Sequence, residues 1–286
     1  MRSEFQRQTS ELLKEAQLKA EAHGLHVTAM EWEWLLEFAS GISKMERLLG
    51  SVAPTKADWE SVFHSGLNRR LQGEPIQYIL GSTEFYGRKF AVGPSVLIPR
   101  PETESLVEWA ADIGNRQTAP RILDIGTGSG CIAVSLALEV PGSEVRAIDC
   151  SREALAVARS NASTLGASVD FERTDVLNDA IPDPPYSLIV SNPPYVPVEE
   201  MEEMQREVRD YEPHVALFAG RDPLLFYRKF AETLRTTLRS GGYIGMEIHA
   251  QFGPEVAKLF VDNGWRNVTV KEDLAGMDRF VVASVD

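Results

Sequence analysis

Hydrophobic positions in the first 73 residues recur at helical spacing. Phe5, Leu12, Leu13, Ala16 and Ala20 fall on one face of a first helix. Thr28, with Glu31 three residues on, has the pattern of a capping box and opens a second helix. The apolar face of that helix reads as Trp34, Leu35, Phe38 and Ala39, and Gly41 stops it. A short helix follows at 44–49. A longer one at 56–72 carries Trp59, Val62, Phe63, Leu67 and Leu71 and ends at Gly73. Residues 1–73 therefore predict a small helical bundle, of the kind that docks a partner or substrate when fused to an enzyme.

The pattern changes at residue 74. Gln77–Leu80, Thr83–Tyr86 and Arg88–Val92 alternate and are punctuated by Gly81, Gly87 and Gly93, which predicts a β-hairpin linker over 74–99. From about 105 onward, strands and helices alternate. Strands are predicted at 121–125, 145–149, 169–173, 188–190 and 243–248, and helices at 131–140, 153–165, 223–239 and 254–263. Two last strands, 268–272 and 279–284, flank the connection Asp273–Asp278. Alternating units of this kind build a mostly parallel sheet covered on both faces. The closing pair predicts an antiparallel edge, giving an α/β domain over 100–286.

Composition narrows the options. The chain has 286 residues, 29 Lys and Arg against 42 Asp and Glu, and a formal net charge of −13. Residues 1–73 hold 9 basic and 10 acidic residues, whereas 74–286 hold 20 and 32. The acidic part is the α/β part, which argues against a general duplex-DNA binder. No run of 18 apolar residues suggests a membrane span, and the N-terminus lacks the apolar stretch of a secretory leader. Cys131 and Cys150 form no metal pattern and read as reduced core thiols of a cytosolic protein.

The chemistry concentrates at the carboxyl ends of the predicted strands, where open α/β sheets bind ligands. Leu123-Asp-Ile-Gly-Thr-Gly-Ser-Gly130 lies at the first strand-to-helix turn. Its glycines permit a sharp turn and close approach to a ligand. The spacing is neither the dinucleotide fingerprint nor a P-loop. Asp149 ends the second strand, 23 residues after Gly126, where a carboxylate can accept from ribose hydroxyls. Asp175, with Val176 beside it, ends the third, where it can accept from an adenine amine. Each acid alone reads equally well as a helix cap or turn residue, but their order along successive strands points to a nucleoside-type cofactor. After the apolar strand Tyr186–Val190 comes Asn192-Pro193-Pro194-Tyr195. Two prolines fix two φ angles and remove two N–H donors. The turn keeps carbonyl oxygens, one side-chain amide and one aromatic face, a set able to hold a planar amino or amide group. Ile98–Glu104 reads either as a capped helix start or as a wall of the site.

Together, Asp-x-Gly-x-Gly-x-Gly, the ribose acid and Asn-Pro-Pro-Tyr resemble the class I S-adenosylmethionine-dependent methyltransferases. The helical N-terminal region, the hairpin, Ile98-Pro-Arg-Pro-Glu-Thr-Glu104, Glu212-Pro-x-x-Ala-Leu217 and Gly276-Met-Asp-Arg279 are similar to the branch that methylates the glutamine side-chain nitrogen (N5) of peptide chain release factors. The similarity spans nearly the whole chain and is weakest over 1–73. Val176 departs from it, since an aromatic residue often stands there, as does Ala219-Gly220-Arg221-Asp222.

The resemblance implies a class I, Rossmann-like seven-stranded sheet and S-adenosyl-L-methionine as cofactor. Candidate cofactor contacts are Gly126, Thr127, Gly128, Ser129, Gly130, Asp149, Asp175, Val176 and Asn192. It implies the Gly-Gly-Gln glutamine of a release factor as substrate, held by Asn192, Pro193, Pro194 and Tyr195. Asn192, Pro193 and Tyr195 are the catalytic candidates, with no metal and no dedicated base. The helical domain is expected to dock the release factor. A monomer with no nucleic-acid or membrane contact is expected, and 196–222 is expected to order over docked substrate. The rival readings are an N6-adenine methyltransferase of nucleic acid and a non-catalytic binding module with the same fold.

Overall fold

The computed structural model describes residues 4–50, 53–273 and 276–286. Met1-Arg-Ser, part of the N-terminus read above as leader-free, and Leu274-Ala275 of the last connection lie outside the described residues. The chain divides into two compact units. One is Met1–Gly81 together with Gln205–Tyr211, and the other is Ser82–Met204 together with Glu212–Asp286.

The first unit holds α1 (Glu4–Ala22), α2 (Ala29–Ser40), α3 (Lys44–Leu49), α4 (Trp59–Leu71) and α5 (Ile76–Leu80). Thr28 caps α2 as expected. Its hydroxyl accepts from Glu31 N, and the Glu31 carboxylate accepts from Thr28 N. The face that α2 buries is Trp32, Leu35, Leu36 and Ala39, whereas Trp34 is 46% and Phe38 40% exposed. Both stripes satisfy helical spacing, and packing against α4 selects one. Gly66 of α4 comes so close that a Cβ there would stand 2.4 Å from Leu35 Cδ1.

Residues 77–80, read from alternation as part of the β-hairpin linker, are helical and belong to α5. Ile76 and Ile79 are buried at i, i+3, and Gly81 ends the turn in the left-handed region with its N–H on Gln77 O. A four-residue alternation is too short to exclude that spacing. The unit also includes α9 (Arg206–Tyr211), taken from the later connection. Arg70, 5% exposed, donates to Glu31 at 2.9 Å and pairs with Glu207 of α9 at 2.8 Å.

The second unit opens with the hairpin β1 (Ser82–Phe85) and β2 (Arg88–Ala91). Phe85 and Phe90 are buried in the same core as Val107, Ala133 and Leu188. The hairpin is thus part of this unit's core. The Asn161 side chain accepts from Ala91 N at 2.7 Å and donates to Ala91 O and Ser129 O at 3.0 and 2.8 Å.

The remaining elements are α6 (Glu104–Asn115), β3 (Arg121–Ile125), α7 (Cys131–Glu139), β4 (Glu144–Asp149), α8 (Arg152–Leu165), β5 (Val169–Arg173) and β6 (Tyr186–Ser191). They continue through α10 (His214–Leu217), α11 (Leu225–Thr233), β7 (Leu238–Glu247), α12 (Gly253–Asp262), β8 (Arg266–Glu272) and β9 (Asp278–Ser284). The sheet order is β5-β4-β3-β6-β7-β9-β8, parallel from β5 through β7, with β9 antiparallel to both its neighbours. The sheet is the expected seven-stranded one, and its antiparallel strand lies inside the edge strand β8.

Leu238 and Arg239, read as the end of a helix, and residues 240–242 after them belong to β7, with a register irregularity opposite Tyr186–Leu188. No helix among the described residues is long and apolar enough to cross a membrane.

Candidate active site

Strand order reverses between β3 and β6, so the carboxyl ends of these neighbouring strands diverge and leave a crevice. A cavity of about 280 Å³ opens there, lined by the loop after β3, the ends of β4, β5 and β6, and residues 95–97, 99, 100 and 103. Gly126, Thr127, Gly128, Ser129, Asp149, Asp175, Val176, Asn192, Pro193 and Pro194 all line it, whereas Gly130 and Tyr195 do not. Ile98–Glu104 fits both of its readings. Pro101–Thr103 forms a single helical turn leading into α6, while Pro99, Arg100 and Thr103 wall the cavity.

The three glycines differ in role. All have positive φ, at 74°, 54° and 82° for Gly126, Gly128 and Gly130. A Cβ on Gly128 would meet nothing within 4 Å, so that glycine serves the backbone turn and leaves open space above it. A Cβ on Gly130 would stand 3.1 Å from Ala158 Cβ, so Gly130 lets α8 close on the loop.

Asp149 accepts from Gly128 N and Ser151 N, each at 2.9 Å, one on each carboxylate oxygen. Further lone pairs remain on both oxygens for hydroxyl donors. Burial raises its pKa, and the two N–H groups oppose that shift. Asp175 accepts from Leu177 N at 3.1 Å and Asn178 Nδ2 at 2.7 Å. Val176 is buried beside it and supplies an apolar wall. The acids, the open glycine turn and the apolar lining suit a nucleoside carrying a charged tail.

Asp124, so far only the first position of the Asp-x-Gly-x-Gly-x-Gly run, has a role that the spacing did not give it. It is fully buried in β3, and its Oδ2 accepts from Thr127 Oγ1 at 2.6 Å and Ala133 N at 3.2 Å. Its Oδ1 has no partner, and burial pushes the carboxyl up to about 7. A lone acid between Leu123 and Ile125 in an apolar strand was the available signal.

Asn192 directly follows β6. Its Nδ2 donates to Thr103 Oγ1 at 3.2 Å, which leaves Oδ1 as the end of the amide able to accept from a ligand. The Thr103 hydroxyl donates to Glu247 Oε2 at 2.6 Å, and the Tyr195 hydroxyl donates to Glu247 Oε1 at 3.1 Å. Tyr227, also buried, donates its hydroxyl to Glu247 O at 2.8 Å. Glu247 is 1% exposed. Burial raises its pKa, while the Thr103 and Tyr195 hydroxyls and the Arg279 charge oppose that. Desolvation and the Glu247 charge hold the Tyr195 phenol protonated, far above its ordinary range. The Tyr195 ring meets His249 edge-on at 6.1 Å. The Tyr195 hydroxyl is committed to Glu247, which fixes where its ring stands beside Asn192.

One further expectation changes. Cys131 is buried, but Cys150 is exposed and lines the cavity, because β4 ends one residue before it. The long connection after Tyr195 is built from short helices, and its two ends lie side by side through Val196 and Phe218. Within it, Glu212 is buried and accepts from Ile98 N at 3.1 Å and Arg100 at 2.5 Å, holding the cavity wall. His214 packs edge-on against Phe218 at 5.2 Å. Among the described residues, no group of three His, Cys, Asp or Glu side chains could hold a metal ion.

Two family models match the chain. The PrmC N-terminal domain matches residues 11–81, and the methyltransferase small domain matches 106–208. A release factor glutamine methyltransferase of Koribacter versatilis is 44% identical over 226 residues, 79% of this chain and 80% of the relative. One of Bacteroides thetaiotaomicron is 44% identical over 246 residues, covering 85% and 88%. One of Nitratidesulfovibrio vulgaris is 38% identical over 279 residues, covering 95% and 93%. Among solved structures, the hMettl16 catalytic domain, in complex with a 3′UTR hairpin, superposes with a TM-score of 0.56 at 17% identity, covering 83% of this chain and 84% of that one. A methyltransferase from Pyrococcus furiosus gives 0.51 at 14%, covering 80% and 98%. These two structures share the fold.

Proposed function

The chain belongs to the family of release factor glutamine methyltransferases, and from that premise we propose that its strand-end cavity methylates the side-chain nitrogen of the Gly-Gly-Gln glutamine of a peptide chain release factor. The observation that carries this reading is the Asn192 amide, which donates through Nδ2 to Thr103 and so keeps Oδ1 for an N–H donor at the cavity wall. S-adenosyl-L-methionine, when bound, supplies an electrophilic methyl group on a sulfonium. Asp149 would accept from its ribose, Asp175 would face its base, and Val176 would give that base an apolar wall.

An amide nitrogen is a poor nucleophile because its lone pair is delocalised into the carbonyl. Asn192 Oδ1 and the Pro193 carbonyl accept its two N–H bonds and aim the nitrogen along the line of transfer. Orientation of this kind contributes roughly 7–11 kcal/mol in favourable intramolecular cases. The same oxygens point negative ends of dipoles at the transferring carbon, where positive charge is dispersed. Asn192 and Pro193 hold the nitrogen in line, while the bound sulfonium would give up its methyl group to it and keep the electron pair of the broken C–S bond. The methylated nitrogen is strongly acidic, and its extra proton leaves to water. Tyr195 and Glu247 act behind Asn192, outside the reacting atoms. The helical unit docks the release factor.

The test is mass spectrometry of a release factor incubated with this protein and cofactor. A single-methyl mass gain at the Gly-Gly-Gln glutamine, absent from a substrate carrying Gln→Ala, is expected. Methyl transfer to adenine in nucleic acid, with none to the release factor, would overturn the reading.

A further inference from the structure

Resting on the proposed reaction, we infer that Glu247 is a positioning residue that fixes which end of the Asn192 amide faces the substrate, acting through the Thr103 hydroxyl. An Asn side chain fits a site in two orientations of nearly identical shape that differ in hydrogen-bond polarity. Facing Oδ1 to the substrate receives an N–H group; facing Nδ2 repels it. Nothing in Asn192 itself chooses between them, so a neighbour must.

Thr103 Oγ1 is that neighbour, at 3.2 Å from Asn192 Nδ2. A hydroxyl is both donor and acceptor, so alone it would accept either orientation. The hydroxyl has one hydrogen, and Glu247 Oε2 takes it at 2.6 Å. The other carboxylate oxygen receives the Tyr195 hydroxyl, so both oxygens accept and neither donates to Thr103. Thr103 therefore presents lone pairs to Asn192, and only Nδ2 can face them. Glu247 is itself held against rotation. Its second oxygen accepts from Tyr195 at 3.1 Å, and its backbone carbonyl accepts from Tyr227 at 2.8 Å. The chain of bonds thus has one direction, from Asn192 through Thr103 to Glu247, and the carboxylate sets it. This also accounts for a carboxylate 1% exposed at the end of β7, where burial alone would disfavour it. It gives Tyr195 a role consistent with its position, anchoring Glu247 from the same turn that carries Asn192.

Glu247→Gln preserves shape but can donate to Thr103, which releases the hydroxyl hydrogen toward Asn192 and lets the amide reverse. Thr103→Val preserves shape and removes the relay, while Thr103→Ser keeps it. With the full-length protein and a release factor, Glu247→Gln and Thr103→Val should each lower kcat at least about tenfold with KM and cofactor affinity within about twofold, and Thr103→Ser should restore most of kcat. Loss of KM, cofactor affinity and kcat together in both variants would mark a merely structural role and overturn the inference.

A second measurement needs no substrate. In cofactor-loaded protein labelled with 15N-asparagine, the Asn192 side-chain signal is assigned by its loss in Asn192→Ala. Exchange of its Nδ2 hydrogens with solvent should accelerate at least about tenfold in Thr103→Val. Unchanged exchange overturns the inference whatever the substrate proves to be. Accelerated exchange, in a protein that methylates no release factor, would support the lock while removing the proposed reaction.

Discussion

Asn192 and Asp124 lie at the ends of neighbouring strands and illustrate two uses of a buried polar group. Asn192 presents an acceptor to the cavity. Asn192→Ala is expected to lower methyl transfer at least about 100-fold, the scale seen when one preorganised polar group is removed from a reacting centre. Cofactor affinity should stay within about threefold, since the acids and the glycine turn are untouched. Label transfer and calorimetry check the two halves of that statement. Asp124 instead is a carboxyl whose charge is disfavoured. Its ordinary value is 3.8, and burial holds it at about 7 in the folded chain. Between those values the folded protein retains a proton that the unfolded chain has released. Stability therefore falls as pH rises through that window, by at most about 4 kcal/mol, and the loss is complete above it. Asp124→Asn has no such proton. Its melting temperature relative to the native protein should rise as pH goes from about 5 to about 8. A difference independent of pH in scanning calorimetry would refute the assignment.

At the scale of elements, the glycine turn after β3 separates two costs that sequence alone merges. Gly128→Ala and Gly130→Ala both force a side chain onto positive φ, at 54° and 82°. That strain costs about 1–3 kcal/mol. Only Gly130 adds a packing conflict, with Ala158 at 3.1 Å. Melting temperatures should therefore fall in the order native, Gly128→Ala, Gly130→Ala, with cofactor affinity also reduced for Gly128→Ala, which borders the cavity. Legibility followed length. The strands at 121–125 and 169–173 were readable to the residue, because apolar runs between clear turns admit one period. The segment 76–80 was not, because four alternating residues also carry apolar positions at i, i+3. The buried face of α2 was not, because the helix is apolar on two sides and its neighbour decides.

For the whole molecule, the notable fact is that α9 belongs to the helical unit although the chain reaches it from the strand-end turn. Arg70 ties it there, between Glu31 and Glu207. Removing the cation leaves two carboxylates facing each other at a largely buried position. Arg70→Ala should destabilise the helical unit by about 3 kcal/mol or more. The checks are thermal unfolding and faster proteolysis within 204–212. Unaltered cleavage there would show that the ion pairs do not hold α9.

The amino-acid sequence by itself determined the alternation of strands and helices in the α/β unit, the family, and the placing of the glycine turn, Asp149, Asp175 and Asn192 at strand ends. Those features depend on residues close in the chain, where period and turn chemistry suffice. The tertiary structure alone decided what surrounds Asn192. Thr103 and Glu247 are 144 positions apart yet hydrogen-bonded, and a relay built across that separation leaves no local pattern. Neither residue is unusual in its own segment: one ends a helical turn and the other a strand. Only pairing β6 with β7 and bringing the turn before α6 to their carboxyl ends joins Asn192, Thr103 and Glu247 into a chain with a direction.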